Sequence, residues 1–308
     1  MNVKSGSTSR TMPKRDRAAR AADNEPSPKA RRSEGTSAMR LETALSKADD
    51  ASEAFFELAN APSVAVAVPG EPDIDVTILQ DPANTTTGGC VWETAYVLAE
   101  WAYWRLPAFE AVDLRGRLRR PRCLELGAGC GLTGIALAHS GAAAEVLLTE
   151  VAGAMDNLRR NVEANPVADD RYPCRAAALD WTNDAEVAAV AARGPWDVIL
   201  GTDVIFRLDL VEPLLRTLWR CAHDETAVYL CLQIRCPDSH ASFLEKAPRF
   251  FRKVELTAFA DMKPVAADDM PSICAVDIRG TSAAESVAGE LDIFLLQLEE
   301  PIPDESDS

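Results

Sequence analysis

From residue 121 onward, short apolar runs alternate with longer segments in which apolar positions recur every three to four residues. The runs lie at about 121–127, 144–150, 173–179, 196–202 and 226–233. The helical spacings lie at about 132–140, 152–164, 183–193 and 208–222, the last carrying Leu210, Val211, Leu214, Leu215 and Leu218 on one side. Continuous apolar runs of this length are strands covered on both faces, and their alternation with helices is the βαβ pattern of a parallel sheet. A helix near 239–247 then leads to a strand near 251–258, and LDIFLLQLE (291–299) supplies a seventh strand. No helix is predicted between these last two strands, so the final one is expected to run antiparallel. The polar stretch 259–290 between them is long for a plain connection and is read as an insert.

Upstream, SVAVAVPGEPDIDVTILQ (63–80) places two alternating β-type runs around a Pro-Gly-Glu-Pro turn, a hairpin flanking the main body. VWETAYVLAEWAYW (91–104) has Val91, Ala95, Leu98 and Ala102 at helical spacing. Residues 1–50 show no periodicity and are rich in Ser, Arg, Lys, Ala and Pro, so they are expected to form a disordered basic tail. The domain is therefore assigned to 51–300, with hairpin and helix at 63–105 and the sheet core at 121–300, followed by an acidic tail at 301–308.

Composition narrows the function. The 308 residues are 47% hydrophobic and 26% charged, with 32 Lys+Arg against 48 Asp+Glu and a net charge of −16. A protein that coats nucleic acid through global positive charge is unlike this, and no direct nucleic-acid partner is expected. The charge is uneven: residues 1–40 hold ten Lys/Arg and four Asp/Glu, net +6, leaving −22 for the rest. No apolar run approaches the ~18–20 residues of a membrane helix, and no apolar h-region opens the chain. We expect a soluble cytoplasmic monomer. The clusters Lys14-Arg15-Asp16-Arg17 and Lys29-Ala30-Arg31-Arg32 have the spacing of a bipartite nuclear-import signal, which adds the nucleus as a second location to test. Eight cysteines are dispersed without a CxxC pair, the usage of packed free thiols. The three histidines His139, His223 and His240 form no ligand pair, so neither a metal site nor a Ser-His-Asp enzyme is expected.

Ligands of an open parallel sheet bind beyond the carboxyl ends of its strands, so strand-terminal residues are the candidates. The first core strand, with Glu125 near its end, runs into Gly127-Ala128-Gly129-Cys130-Gly131-Leu132-Thr133-Gly134 and then a helix. Glycines there allow close backbone approach and present helix N-terminal amides to a ligand. This loop also satisfies GxGxxG, and the second strand's terminal Glu150 suits a ribose of either S-adenosylmethionine or a dinucleotide. At the third strand's end, Asp180 suits an adenine amino group and Trp181 the ring face; a capping acid beside a core indole is the alternative. The fourth strand ends in Thr202-Asp203-Val204-Ile205-Phe206, an acid and an aromatic at the rim.

Taken together and in this order, these motifs resemble a seven-β-strand S-adenosylmethionine-dependent methyltransferase: a Rossmann-like seven-stranded sheet, mostly parallel with an antiparallel last strand, preceded by a hairpin and helix. More narrowly, the chain resembles the family-16 group of non-histone protein-lysine methyltransferases over about residues 63–258. Val91-Trp92-Glu93 matches that group's Trp-acid pair, Leu124 to Ile135 its LELGAGCGLTGI loop, Asn157 to Asn165 its NLRRNVEAN helix, and Asp203 to Phe206 its D-x-x-Y/F motif. The resemblance implies S-adenosyl-L-methionine as methyl donor, lined by Trp92, Glu125, Gly127, Ala128, Gly129, Glu150, Asp180, Trp181 and Thr202. It implies Asp203 and Phe206 as the catalytic pair facing the lysine of a protein substrate of chaperone or translation-factor type. Phe206 replaces the Tyr of many relatives, and the 259–290 insert and basic tail are further departures. Protein-histidine or small-molecule methylation, a non-catalytic binding module and a dinucleotide oxidoreductase are the competing readings.

Overall fold

Chain order and spatial order part company at two points in the large sheet, one in its middle and one near its antiparallel edge. In the computed structural model, which describes residues 38–68, 71–81, 87–106, 111–112, 118–167, 173–258 and 292–303, β1 (Met39–Arg40), α1 (Leu41–Leu45) and α2 (Ala51–Asn60) open the body. The hairpin β2 (Ser63–Val68) and β3 (Glu71–Leu79) follows, then α3 (Glu93–Arg105) and the short pair β4 (Ala111–Val112) and β5 (Leu118–Arg119). The alternating core is β6 (Arg122–Leu126), α4 (Leu132–Ser140), β7 (Glu145–Glu150), α5 (Met155–Ala164), β8 (Cys174–Ala178), α6 (Asp184–Ala191), β9 (Val198–Thr202), α7 (Val211–Cys221) and β10 (Ala227–Gln233). It ends with α8 (Pro237–Lys246), β11 (Phe251–Ala258) and β12 (Ile293–Pro301). The large sheet has the order β8-β7-β6-β9-β10-β12-β11, with β12 antiparallel to both neighbours and the other adjacent pairs parallel. The chain runs outward from β6 to β8 and then returns to β9 beside β6, so the switch in strand order falls between β6 and β9.

Strand alternation divides the apolar residues between two faces. Cys123, Val146, Leu148, Val198 and Leu200 join a core made with the hairpin and α2 to α5. Leu124, Leu126, Leu147, Ile199, Val228 and Leu230 join the opposite core under α6, α7 and α8. The result is three layers. At the amino ends of β6 and β9, Asp197 accepts from the Arg122 amide at 2.7 Å and from Arg119 at 2.8 Å, clamping the end of the sheet away from the switch point.

The expected hairpin, aromatic helix, parallel core and antiparallel last strand are all present. Two boundaries differ. The body begins near residue 38 rather than 51, because Leu41 and Ala44 are buried in the same core as α2. In α2 itself, Ala51, Ala54, Phe55 and Leu58 lie at helical spacing and are buried, and Asp50 caps the helix by accepting from the Glu53 amide at 2.9 Å. At the other end β12 reaches Pro301, and the Ile302 amide donates to Phe250 O, so the tail starts later than 301. The basic clusters of the first 37 residues, the 259–290 insert and residues 304–308 lie outside the described residues.

Candidate active site

A cleft of about 540 Å³ opens beyond the carboxyl ends of β6, β7 and β9, at the switch point. Its floor is the glycine loop after β6. Gly127 has φ +60°, which favours glycine, and a Cβ there would lie tightly, 3.1 Å from Val204 Cγ1 and 3.4 Å from the Trp181 indole. A Cβ on Gly88, in the turn before α3, would lie 3.1 Å from Ala154 Cβ and 3.4 Å from Gly129 Cα. Two glycines thus let the 87–89 turn close against the loop. The Ala128 amide donates to Thr149 O at 2.9 Å, tying the loop to β7.

Glu150, the last residue of β7, accepts one backbone amide on each oxygen: Val151 at 2.8 Å and Gly129 at 2.9 Å. Burial raises its pKa and the two amides oppose that rise. A carboxylate has about four acceptor positions, so capacity remains for a ribose diol. Asp180 also borders the cleft. One of its oxygens accepts from the Thr182 amide and hydroxyl, at 2.8 and 2.7 Å, which lowers its pKa and fixes the turn. Trp181 borders the cleft too, with its ring beside Gly127, and is partly buried against the core under α6 to α8.

At the mouth, the arrangement is ionic. Asp203 has φ +50° and is held on both oxygens: Oδ1 accepts from the Gln233 amide at 2.7 Å, and Oδ2 accepts from Arg235 Nη2 at 2.9 Å. Arg235 Nη2 also lies 2.9 Å from Glu93 Oε2, and its guanidinium carbon is 4.9 Å from the Trp92 ring. Trp92 closes the N-terminus of α3 with extended backbone, and its indole N–H donates to Thr87 O at 3.0 Å. Burial pushes Asp203 above the ordinary carboxylate range, and Arg235 opposes the shift. Thr202 and Phe206 complete the predicted group at this cleft.

Glu125 is the exception. Its side chain is 1% exposed and stays out of the cleft, because it points to the same sheet face as Cys123, beneath α4. There it accepts from the Gly134 amide at 2.9 Å, and burial pushes its pKa up to about 8. Its role is to seat α4 rather than to touch a ligand. Conversely, Gly88, Cys90, Arg207 and Arg235 border the cleft without having been singled out. Arg235 sits in a turn after β10 with no motif around it; the pairing with Glu93 and Asp203 is a product of the fold.

A family model described as lysine methyltransferase matches residues 71–255. Protein N-lysine methyltransferase METTL21A of Mus musculus is 32% identical over 176 residues, covering 57% of this chain and 74% of that protein. EEF1A lysine methyltransferase 3 of Mus musculus is 30% identical over 158 residues, 51% of this chain and 60% of that protein. Protein-lysine N-methyltransferase EEF2KMT of Mus musculus is 29% identical over 180 residues, 54% of this chain and 50% of that protein.

Proposed function

The chain belongs to the lysine methyltransferase family, S-adenosylmethionine-dependent enzymes that methylate protein lysines, and from that premise we propose that it modifies a translation factor or chaperone whose lysine is received at Asp203 and Phe206. The observation that carries the residue assignment is the Asp203 carboxylate at a glycine-floored cleft, joined through Arg235 to the carboxylate of Glu93.

The cleft suits the donor. The Gly127–Gly129 backbone offers close approach, Glu150 offers acceptors for ribose hydroxyls, and Trp181 with the second oxygen of Asp180 offers a face and an acceptor for adenine. When bound, the donor supplies a methyl group on a positively charged sulfur: the acceptor nitrogen forms the new N–C bond, and the electrons of the broken C–S bond stay on sulfur.

The rest is alignment and proton handling. A free lysine has a pKa of ~10.4, so its ammonium must shed a proton before the nitrogen lone pair can attack. Asp203 draws the cation in, and the Phe206 face tolerates it through cation–π attraction worth ~0.5–2 kcal/mol. Phe206 has no hydroxyl, which leaves Asp203 or a water beside it to take the proton.

Incubation of the full chain with radiolabelled donor and a cell extract, or with purified EEF1A, tests this, with Asp203→Asn as control. A discrete labelled protein that disappears with the variant, while donor binding persists, is the expected result. Label that survives Asp203→Asn would sink the residue assignment, and absence of any labelled protein would sink the substrate class.

A further inference from the structure

Asp203 at the cleft and Glu93 behind Arg235 already share a cation. Arg235 is the shared partner of Glu93 and Asp203, donating to Asp203 Oδ2 through Nε at 3.2 Å and Nη2 at 2.9 Å, and to Glu93 through Nη2 at 2.9 Å. The side chains of Asp203 and Glu93 are 8% and 12% exposed, whereas that of Arg235 is 32% exposed. A guanidinium is not deprotonated in a protein, so this charge is permanent.

We infer that Arg235 sets the charge of the acceptor subsite, so that the lysine is held there as the neutral, reactive amine rather than as an ammonium ion. The inference rests on the proposed acceptor role of Asp203. With Arg235 in place, Glu93, Asp203 and the guanidinium sum to one negative charge, which the donor's positive sulfur balances; a neutral amine completes a neutral site. Without it two buried carboxylates lie side by side with no fixed cation, and the site is neutralised by taking up positive charge, either an ammonium ion or a proton shared between the acids. Tight binding of the substrate cation and readiness to react are then in opposition, and Arg235 shifts the balance toward reaction.

Burial raises the pKa of the Cys231 thiol beside Asp203 and of the Tyr96 hydroxyl beside Glu93, which keeps both neutral, and the Asp180 carboxylate in the cleft is engaged with Thr182. Cys90 faces Glu93 and Arg235, and burial raises its thiol pKa, keeping it neutral. Arg207 borders the cleft but is paired with Asp209, Nε to Oδ1 at 3.0 Å. Glu150 lies at the far wall, held by the Gly129 and Val151 amides. Trp92, stacked on the guanidinium, adds a cation-preferring face without charge.

Three variants of the full chain test the inference: Arg235→Gln, Arg235→Lys, and the double variant Arg235→Gln with Glu93→Gln, which returns the site to one negative charge. In Arg235→Gln, KM for the protein substrate should fall and the acid limb of the kcat–pH profile should move up by about 1 unit or more, the effect of an opposite charge left unbalanced at close range. Arg235→Lys and the double variant should keep the wild-type limb. An activity-independent measurement is the affinity for n-butylammonium at pH 7, followed by NMR titration, which should be at least about tenfold tighter in Arg235→Gln and return to the wild-type value in the double variant. An unmoved acid limb in a folded Arg235→Gln protein, a limb that the double variant fails to restore, or equal or absent n-butylammonium binding in wild type and Arg235→Gln would each overturn it. A wild-type protein that methylates no lysine would instead sink the functional reading beneath it.

Discussion

Asn161 and Leu79 exchange two hydrogen bonds: the Leu79 amide donates to Asn161 Oδ1 at 2.8 Å, and Asn161 Nδ2 donates back to Leu79 O at 2.9 Å. Asn165 does the same with Thr77, both bonds at 2.9 Å. Two carboxamides four residues apart, Asn161 on α5 and Asn165 at its C-cap, thus pair with the edge of β3 as a neighbouring strand would, which satisfies backbone groups that a sheet edge otherwise leaves open. Asn161 Nδ2 also donates to Cys130 O at 2.9 Å, so one side chain joins the hairpin to the glycine loop.

Asn161→Ala is therefore expected to damage both stability and the donor site. Removing the carboxamide strands Leu79 N–H and Cys130 O, while Leu79 O keeps the Asn157 Nδ2 donor at 3.2 Å, and at ~1–3 kcal/mol for each buried unsatisfied group the loss should be about 2–4 kcal/mol. Urea denaturation checks the first part, and calorimetric titration with S-adenosylhomocysteine checks the second. A change below ~1 kcal/mol with unaltered affinity would show that the bridge carries little.

Glu125 gives a prediction with a defined sign. Burial holds its folded pKa at about 8, against a reference of 4.5. Between these values the fold keeps a proton that the unfolded chain has released, so this residue's contribution to stability is full below about 4.5 and is lost as pH rises through about 8. Glu125→Gln retains an acceptor for the Gly134 amide without titrating. The variant should gain on wild type by an amount on the order of a few kcal/mol between pH 5 and pH 9, at about 1.4 kcal/mol per pKa unit. Thermal or urea melts of both proteins across that range provide the measurement; parallel pH curves would contradict the assignment.

Much of this was readable in the chain, for reasons that differ by residue. The strand ends were legible because apolar runs stop at Leu126, Glu150 and Thr202, and the sheet brings those ends together whatever the loops do. Glu125 misled because motif proximity to the glycines says nothing of sheet face, whereas strand alternation turns its side chain under α4. α2 was missed although its four buried residues are helically spaced, because the Ser- and Ala-rich composition before it masked the start. Arg235 was out of reach altogether: its partners are 142 and 32 positions away, and only the order β6-β9-β10 with α3 above it assembles them.

Phe206 borders the cleft and is partly exposed. Phe206→Tyr places a hydroxyl where solvent can satisfy it, so stability should change by less than ~0.5 kcal/mol, the range of ordinary surface substitutions. Phe206→Ala removes the cation-tolerant face and, at ~0.5–2 kcal/mol for that interaction, should lower kcat/KM by about 2- to 30-fold. Steady-state kinetics on the labelled substrate distinguish the two variants. Equal activity of Phe206→Ala and wild type would remove the ring from the acceptor site.

Asp203 combines a functional carboxylate with an unusual backbone, and substitutions can separate the two. Its φ of +50° is a conformation that Asn tolerates and Ala resists. Asp203→Asn can still accept from the Gln233 amide through its carbonyl, so the fold should lose less than ~1 kcal/mol while the charge partner of Arg235 disappears. Asp203→Ala loses that acceptor as well and takes on left-handed strain of ~1–2 kcal/mol, so it should be measurably less stable than Asp203→Asn. Both variants should lose methyl transfer by about 100-fold or more, the lower range for removing a group that handles the transferred proton. Melting temperature and single-turnover methylation, measured on the same preparations, check both halves. Comparable stability of the two would mean that the backbone at residue 203 relaxes freely, and turnover retained in Asp203→Asn would assign the proton to a water that needs no carboxylate charge.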